Sequence, residues 1–275
     1  MPSADSGLSS PEYLLGHDAA EEDRLRFQAE DLASDTRWLL DRIGLHSGDC
    51  AIDIGCGPQG ILDLLSERVG PRGKVIGLEQ SLPTVERARR FAKRRGLENV
   101  KVIQGDANRT GLPRGSFDFV HARLVLINIP APQRVVDEMA ALARPGGVVA
   151  SHEGDWHGWI CDPPSAARDA LFEICDSYAR DTGIDLAIGR KSHRLLRAAG
   201  LENVRVHPTI RSLPHGHPRR GIFLEFLRNM RERLLAHGAV VESEFDRLTA
   251  ELARDLDDPQ RLLCHPYFLA WGRKP

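Results

Sequence analysis

Asp53, Gly55, Gly57, Gly60 and Glu79 are the residues of this 275-residue chain whose types and spacing speak most directly to chemistry. Closely spaced glycines after an apolar run let backbone N–H groups approach a nucleotide-like ligand, and an acid about 20 residues on can take ribose hydroxyls. Gly55-x-Gly57-x-x-Gly60 therefore satisfies the spacing of a dinucleotide-binding turn, with Glu79 as the ribose acid. Asp53 argues the other way. It puts a carboxylate inside the strand two residues before the first glycine, where a dehydrogenase strand is apolar. Further polar candidates follow: Gln80 beside Glu79, Asp106-Ala107, His121-Ala-Arg123, and the stretch Glu153-Gly-Asp-Trp156-His157-Gly-Trp159.

The elements that must position these residues alternate as strand, turn and helix. Strands are expected at Cys50–Ile54, Lys74–Leu78, Val100–Gln104, Phe117–His121 and Val148–His152, with helices beginning near Gly60, Ser81 and Pro132. Later strands are expected at Val204–Pro208 and Tyr267–Trp271, the last antiparallel. This period predicts an α/β fold, a Rossmann-like, seven-stranded, mostly parallel sheet with helices on both faces. Residues 1–45 form a helical preface, 46–157 the ligand-binding core, and 158–188 a helical lid insertion. Residues 189–275 complete the core around a second helical insertion at about 217–263. In such a sheet, ligands bind outside the carboxyl ends of the strands, and every polar candidate above falls at one of those ends.

The segment from Asp53 to Gly57 resembles the first motif of class I S-adenosylmethionine-dependent methyltransferases, an acid, one residue, then glycines at alternate positions. Ser116-Phe-Asp-Phe-Val120 is similar to the family's fourth-strand motif and Ala143-Arg-Pro-Gly-Gly147 to its turn before strand five; the likeness runs from about Tyr13 to Glu153. The resemblance implies S-adenosylmethionine as cofactor. It assigns the methionine part to Gly55, Gly57 and Asp53, the ribose to Glu79 with Gln80 beside it, and the adenine amino group to Asp106 with Ala107, and adds His121 to the cofactor contacts. One position departs: the family's third glycine falls on Gln59, with Gly60 displaced by one. The resemblance is nearest to bacterial enzymes that tailor secondary metabolites. It also implies a preface folded over the active site, which would bring Tyr13 and His17 to the reacting centre.

Methyl transfer from a sulfonium is an in-line displacement, accelerated mainly by holding the nucleophile about 3–3.5 Å from the methyl carbon and excluding water. Where the acceptor must lose a proton, a neutral histidine serves near neutral pH. His157 is the first candidate, with Tyr13 and His17 behind it; Trp156, Trp159, Glu153 and Arg123 are expected to line the substrate pocket. A metal at His152, Glu153, Asp155 and His157 is not expected, because alternation along a strand turns neighbours to opposite faces. The reading is methyl transfer to a small, apolar or aromatic metabolite, with carbon, nitrogen and oxygen acceptors all open. A nicotinamide-dependent oxidoreductase and a non-catalytic S-adenosylmethionine binder are the competing readings.

A formal charge of −2, with 28% charged and 41% apolar residues, describes an ordinary globular chain with no nucleic-acid partner expected. Arg87, Arg89, Arg90, Lys93, Arg94 and Arg95 read as the solvated face of one helix. Five scattered cysteines without a Cys-x-x-Cys pair suit a reducing cytoplasm, and neither a leader nor a membrane span is expected. Two lids are compatible with a homo-oligomer.

Overall fold

The computed structural model describes residues 27–275; Tyr13 and His17 lie outside them. The first half runs α1 (Ala33–Ile43), β1 (Cys50–Ile54), α2 (Leu62–Val69), β2 (Lys74–Glu79), α3 (Leu82–Arg94), β3 (Val100–Gln104), β4 (Phe117–Arg123), α4 (Pro132–Leu142) and β5 (Ala143–Gly154). The second half adds β6 (Ile160–Asp162), α5 (Ala166–Asp181), α6 (Ile188–Ala198), β7 (Glu202–Ser212), α7 (Ile222–Ala236), α8 (Glu242–Leu256) and β8 (Leu262–Arg273).

One sheet holds all eight strands, in the order β3-β2-β1-β4-β5-β8, with β1 to β5 parallel and β8 antiparallel to β5. β7 covers the far edge of β8, and the short β6 extends β8 on the β5 side. The expected seven strands are present, and β6 is the eighth. It lies where the sequence predicts only helix and loop, because three residues after the Trp156–Gly158 turn pair with the start of β8. β7 and β8 also run longer than expected, 11 and 12 residues, since each supplies the other with a ladder partner along its length.

β1 shows why the core forms two layers. Ala51 packs into the layer of α1, α2 and α3, with Leu39, Leu62, Leu65 and Val85, whereas Ile52 and Ile54 enter the layer of α4 to α8, with Val135, Met139, Leu196 and Leu227. Successive strand residues point to opposite faces, so a strand buried on both sides reads as a continuous apolar run. Asp53 is the exception in that run, a carboxylate only 2% exposed. Asp118 braces the sheet at the opposite end: it accepts the Cys50 N–H at 2.8 Å and pairs with Arg144. Among the described residues no helix is long and apolar enough to cross a membrane.

Candidate active site

Asp53 holds the turn that follows β1. One carboxylate oxygen accepts the Ile61 N–H at 3.0 Å and the other lies 2.8 Å from His121 Nδ1. The turn therefore closes onto the acid from which it departs. Gly60 makes the closure possible. Its φ is +50°, and a Cβ there would fall onto the Asp53 carboxylate and 2.7 Å from the Cys56 carbonyl oxygen. The displaced third glycine thus sits at the point where backbone crosses carboxylate. Gln59 faces the cavity beside it.

Glu79, at the end of β2, accepts the Gly57 N–H and the Ser81 N–H, each at 3.0 Å. Two loops are locked side by side through one carboxylate. Next along the edge, Asp106 is exposed and accepts both the backbone and the side-chain N–H of Asn108 at 2.9 Å. The Gln80 carbonyl accepts from the Gln104 amide at 3.1 Å. Arg123, at the end of β4, donates to the Gly60 carbonyl at 2.9 Å, so β4 clamps the same turn from the other side.

These groups border one cavity of about 1000 Å³. Asp53, Gly55, Gly57, Glu79, Gln80, Asp106, Ala107 and Arg123 all line it, as does Trp156, edge-on to Phe226 with ring centres 4.9 Å apart. The segments after β5 supply its apolar wall, including Tyr178 on α5, Ile184 in the loop after it, and Phe226 and Met230 on α7.

Other sequence candidates lie elsewhere. His121 is fully buried beneath Asp53, orienting that carboxylate rather than bordering the cavity. His157 follows Trp156 on a tight turn, and with the tryptophan turned inward the histidine faces outward, Nε2 2.8 Å from Asp176 and its ring edge-on to Phe172. Trp159 packs behind the wall, its ring centre 4.4 Å from that of His265. His152 is buried and held neutral, its pKa well below the usual range through burial first and the nearby Arg123 second. Asp155 is fully buried and paired with Arg190. With Asp35 3.7 Å from His152 Nε2, Arg190 on Asp155 and Asp176 on His157, each of these three residues faces a different charged neighbour.

Glu153 caps the turn after β4 from below, its two oxygens accepting the N–H groups of Val125, Leu126 and Ile127 at 3.1, 3.0 and 3.4 Å. Burial pushes its carboxyl from the ordinary 4.5 up to about 8, outweighing those three donors. The folded chain then keeps a proton that the unfolded chain has released. Glu153 should lower stability as pH rises from about 4.5 to 8, by up to about 1.4 kcal/mol per unit, and contribute no further slope above that window. Urea titrations at pH 5, 6, 7 and 8 should show this decline, and Glu153→Gln should flatten it.

The sequence reading missed His265, Tyr267 and Arg219, all of which border the cavity. His265 Nδ1 lies 2.9 Å from the Tyr267 hydroxyl, which also accepts from Arg219, and Arg219 pairs with Asp31 at 2.8 Å. Burial first, then the Arg219 charge, holds His265 well below the usual histidine range, so the ring is neutral at neutral pH. A signal was available. β8 runs antiparallel to β5, so its first residues, not its last, arrive at the carboxyl edge of the sheet.

Residues 45–200 match the family model described as a methyltransferase domain. The chain belongs to this methyltransferase family. A curated relative, the demethylmenaquinone methyltransferase of Geobacillus stearothermophilus, is 37% identical over 120 residues, 42% of this chain and 51% of that protein. Nocamycin O-methyltransferase of Saccharothrix syringae is 38% identical over 111 residues, 40% of each chain. The chain thus spans about half the length, or less, of these relatives. Among solved structures, a SAM-dependent methyltransferase of Aquifex aeolicus superposes with a TM-score of 0.53 at 17% identity, over 93% of this chain and 99% of that one. The methyltransferase fold, that of the class I S-adenosylmethionine-dependent enzymes, is common to both.

Proposed function

We propose that the protein transfers a methyl group from S-adenosylmethionine to a small, largely apolar acceptor. The observation that carries this reading is the order of groups along the carboxyl edge. From β3 to β8 they run Asp106, Glu79, the glycine turn, Arg123, Trp156 and His265, all on one continuous cavity. That order matches an extended ligand with adenine, ribose and methionine parts, followed by a second molecule. Ligand pockets measure about 300–1000 Å³, and this cavity stands at the top of that range.

The residues present fit the cofactor. A Cβ at Gly57 would meet nothing within 4 Å, leaving its backbone open to the cavity, and Glu79 stands beside it for the ribose hydroxyls. Bound there, S-adenosylmethionine supplies an electrophilic methyl on a sulfonium. Trp156, Phe226 and Met230 exclude water and fix an apolar acceptor, and α5 and α7 act as lids. Positioning and water exclusion are the main protein contributions to such a displacement.

Calorimetric titration with S-adenosylmethionine, S-adenosylhomocysteine and NADH tests the reading. Both adenosyl ligands should bind and NADH should not. Glu79→Ala removes the ribose acceptor and the anchor of Gly57 and Ser81, so it should weaken adenosyl binding by roughly 10- to 100-fold, about 1.4–2.7 kcal/mol. Binding of NADH alone would sink the proposal and restore the dehydrogenase reading.

A further inference from the structure

Beyond Trp156 the cavity follows one face of α7. Ile222, Phe226, Met230 and Leu234, each four residues after the last, all border it. Residues at this spacing share a helix face, and at about 1.5 Å per residue the stripe from Phe226 to Leu234 is about 12 Å long and the whole of it about 18 Å. α5 adds Tyr178 and Ala179 to the lining. The two helices meet at their C-terminal ends: the Tyr178 ring stands edge-on to that of His237, the residue after α7, with centres 5.1 Å apart, and His237 Nε2 lies 3.7 Å from Asp181. The cavity therefore has an arm that begins beside Trp156 and closes where α5 and α7 converge.

Two features of the arm bear on what fills it. Its six named side chains carry no charge and a single hydroxyl, that of Tyr178. Apolar spaces of this kind stay dry and take apolar ligands. The arm is also slender, because the cavity of about 1000 Å³ includes the whole cofactor half, and Phe226 and Ala179 on its two walls are only 9% and 4% exposed. A long, thin, uncharged space suits an extended hydrocarbon chain better than a fused ring system. Met230 stands midway along it, and its unbranched thioether can adjust to the width of what enters.

We infer that the acceptor carries a flexible hydrocarbon tail, and that the tail lies along α7 from Phe226 to Leu234 with its free end toward Tyr178. Trp156, edge-on to Phe226 with ring centres 4.9 Å apart, stands where the arm opens, so the reacting end of the acceptor stays on the glycine-turn side of that ring. The tail supplies binding energy in proportion to the apolar surface it removes from water, and Phe226, Met230 and Ala179 set how much of it fits. This inference rests on the proposed methyl transfer.

The test uses the full chain saturated with S-adenosylhomocysteine and titrated calorimetrically with the straight-chain alcohols from butanol to dodecanol. In the wild type, affinity should rise about fourfold with each added methylene, the gain for burying one away from water, and level off once the tail fills the arm. Ala179→Phe and Met230→Trp fill the arm from its two walls. Each should weaken decanol binding by at least about tenfold, the worth of two or more buried methylenes, while S-adenosylhomocysteine binds as before. If the cofactor product binds but affinity stays flat from butanol to dodecanol, or decanol binds both variants as tightly as the wild type, the tail assignment is overturned and the methyl-transfer reading stands. If neither adenosyl ligand binds the wild type, the methyl-transfer reading fails and takes this inference with it. Should one variant lose S-adenosylhomocysteine binding through misfolding, the other variant and the wild-type series decide.

Discussion

Replacing Gly60 by alanine should reduce S-adenosylmethionine affinity by at least about 100-fold, near 2.7 kcal/mol, and lower the melting temperature by several degrees. The reason is steric as well as conformational. A left-handed backbone costs a residue with a Cβ about 1–2 kcal/mol. At Gly60 the added carbon would also run into the Asp53 carboxylate and the Cys56 carbonyl, the atoms that close the turn. Gly57 is the control. Its φ of +57° carries a similar strain, but a Cβ there would meet nothing within 4 Å. Gly57→Ala should therefore cost about 1 kcal/mol of stability and act mainly on binding, through the methyl it projects into the cavity. Equal stability losses in the two variants, measured by urea unfolding, would refute the crossing of turn and carboxylate.

The second large effect is expected at Arg220, a residue that does not itself line the cavity. It is 4% exposed and donates to four carbonyl oxygens: Leu256 at 2.6 Å, Leu213 at 2.7 Å, and Asp258 and Arg261 at 2.8 Å each. These carbonyls belong to the end of α8, the loop before β8 and the residue directly after β7. One guanidinium joins three pieces of chain. Arg220→Met would leave buried carbonyls without donors, and each such group costs about 1–3 kcal/mol. A total of about 4–6 kcal/mol is expected, seen as a fall in melting temperature of about 10 °C or more. Arg220→Lys should recover only part of it, because a single ammonium cannot span the fork of a guanidinium. A fall of only a degree or two in Arg220→Met would show that water replaces the lost donors.

The cofactor half of the site was legible because its residues are close in sequence and each sits at the end of a parallel strand. Asp53, Gly55, Gly57, Glu79 and Asp106 all fall at the ends of three successive parallel strands, β1 to β3, and all line the cavity. Local patterning fixes such placements, since a parallel strand always delivers its last residues to the ligand edge. The role of Gly60 was less legible. Spacing alone made it a misplaced glycine, whereas the φ of +50° and the approach of Asp53 make it the residue that the turn requires.

The sequence by itself determined the α/β alternation, the parallel core and the carboxyl-edge acids, because period-two and helical apolar patterns are local and each strand's buried faces follow from them. Only the tertiary structure decided which histidine meets the cavity. His157 stands beside Trp156 in sequence, yet the turn points it at Asp176. His265 is more than a hundred residues away in sequence, and the antiparallel return of β8 sets it next to Trp156, with ring centres 6.3 Å apart. Strand direction and the Asp31–Arg219–Tyr267 chain fix that juxtaposition. Both depend on contacts between distant segments, which no local pattern encodes.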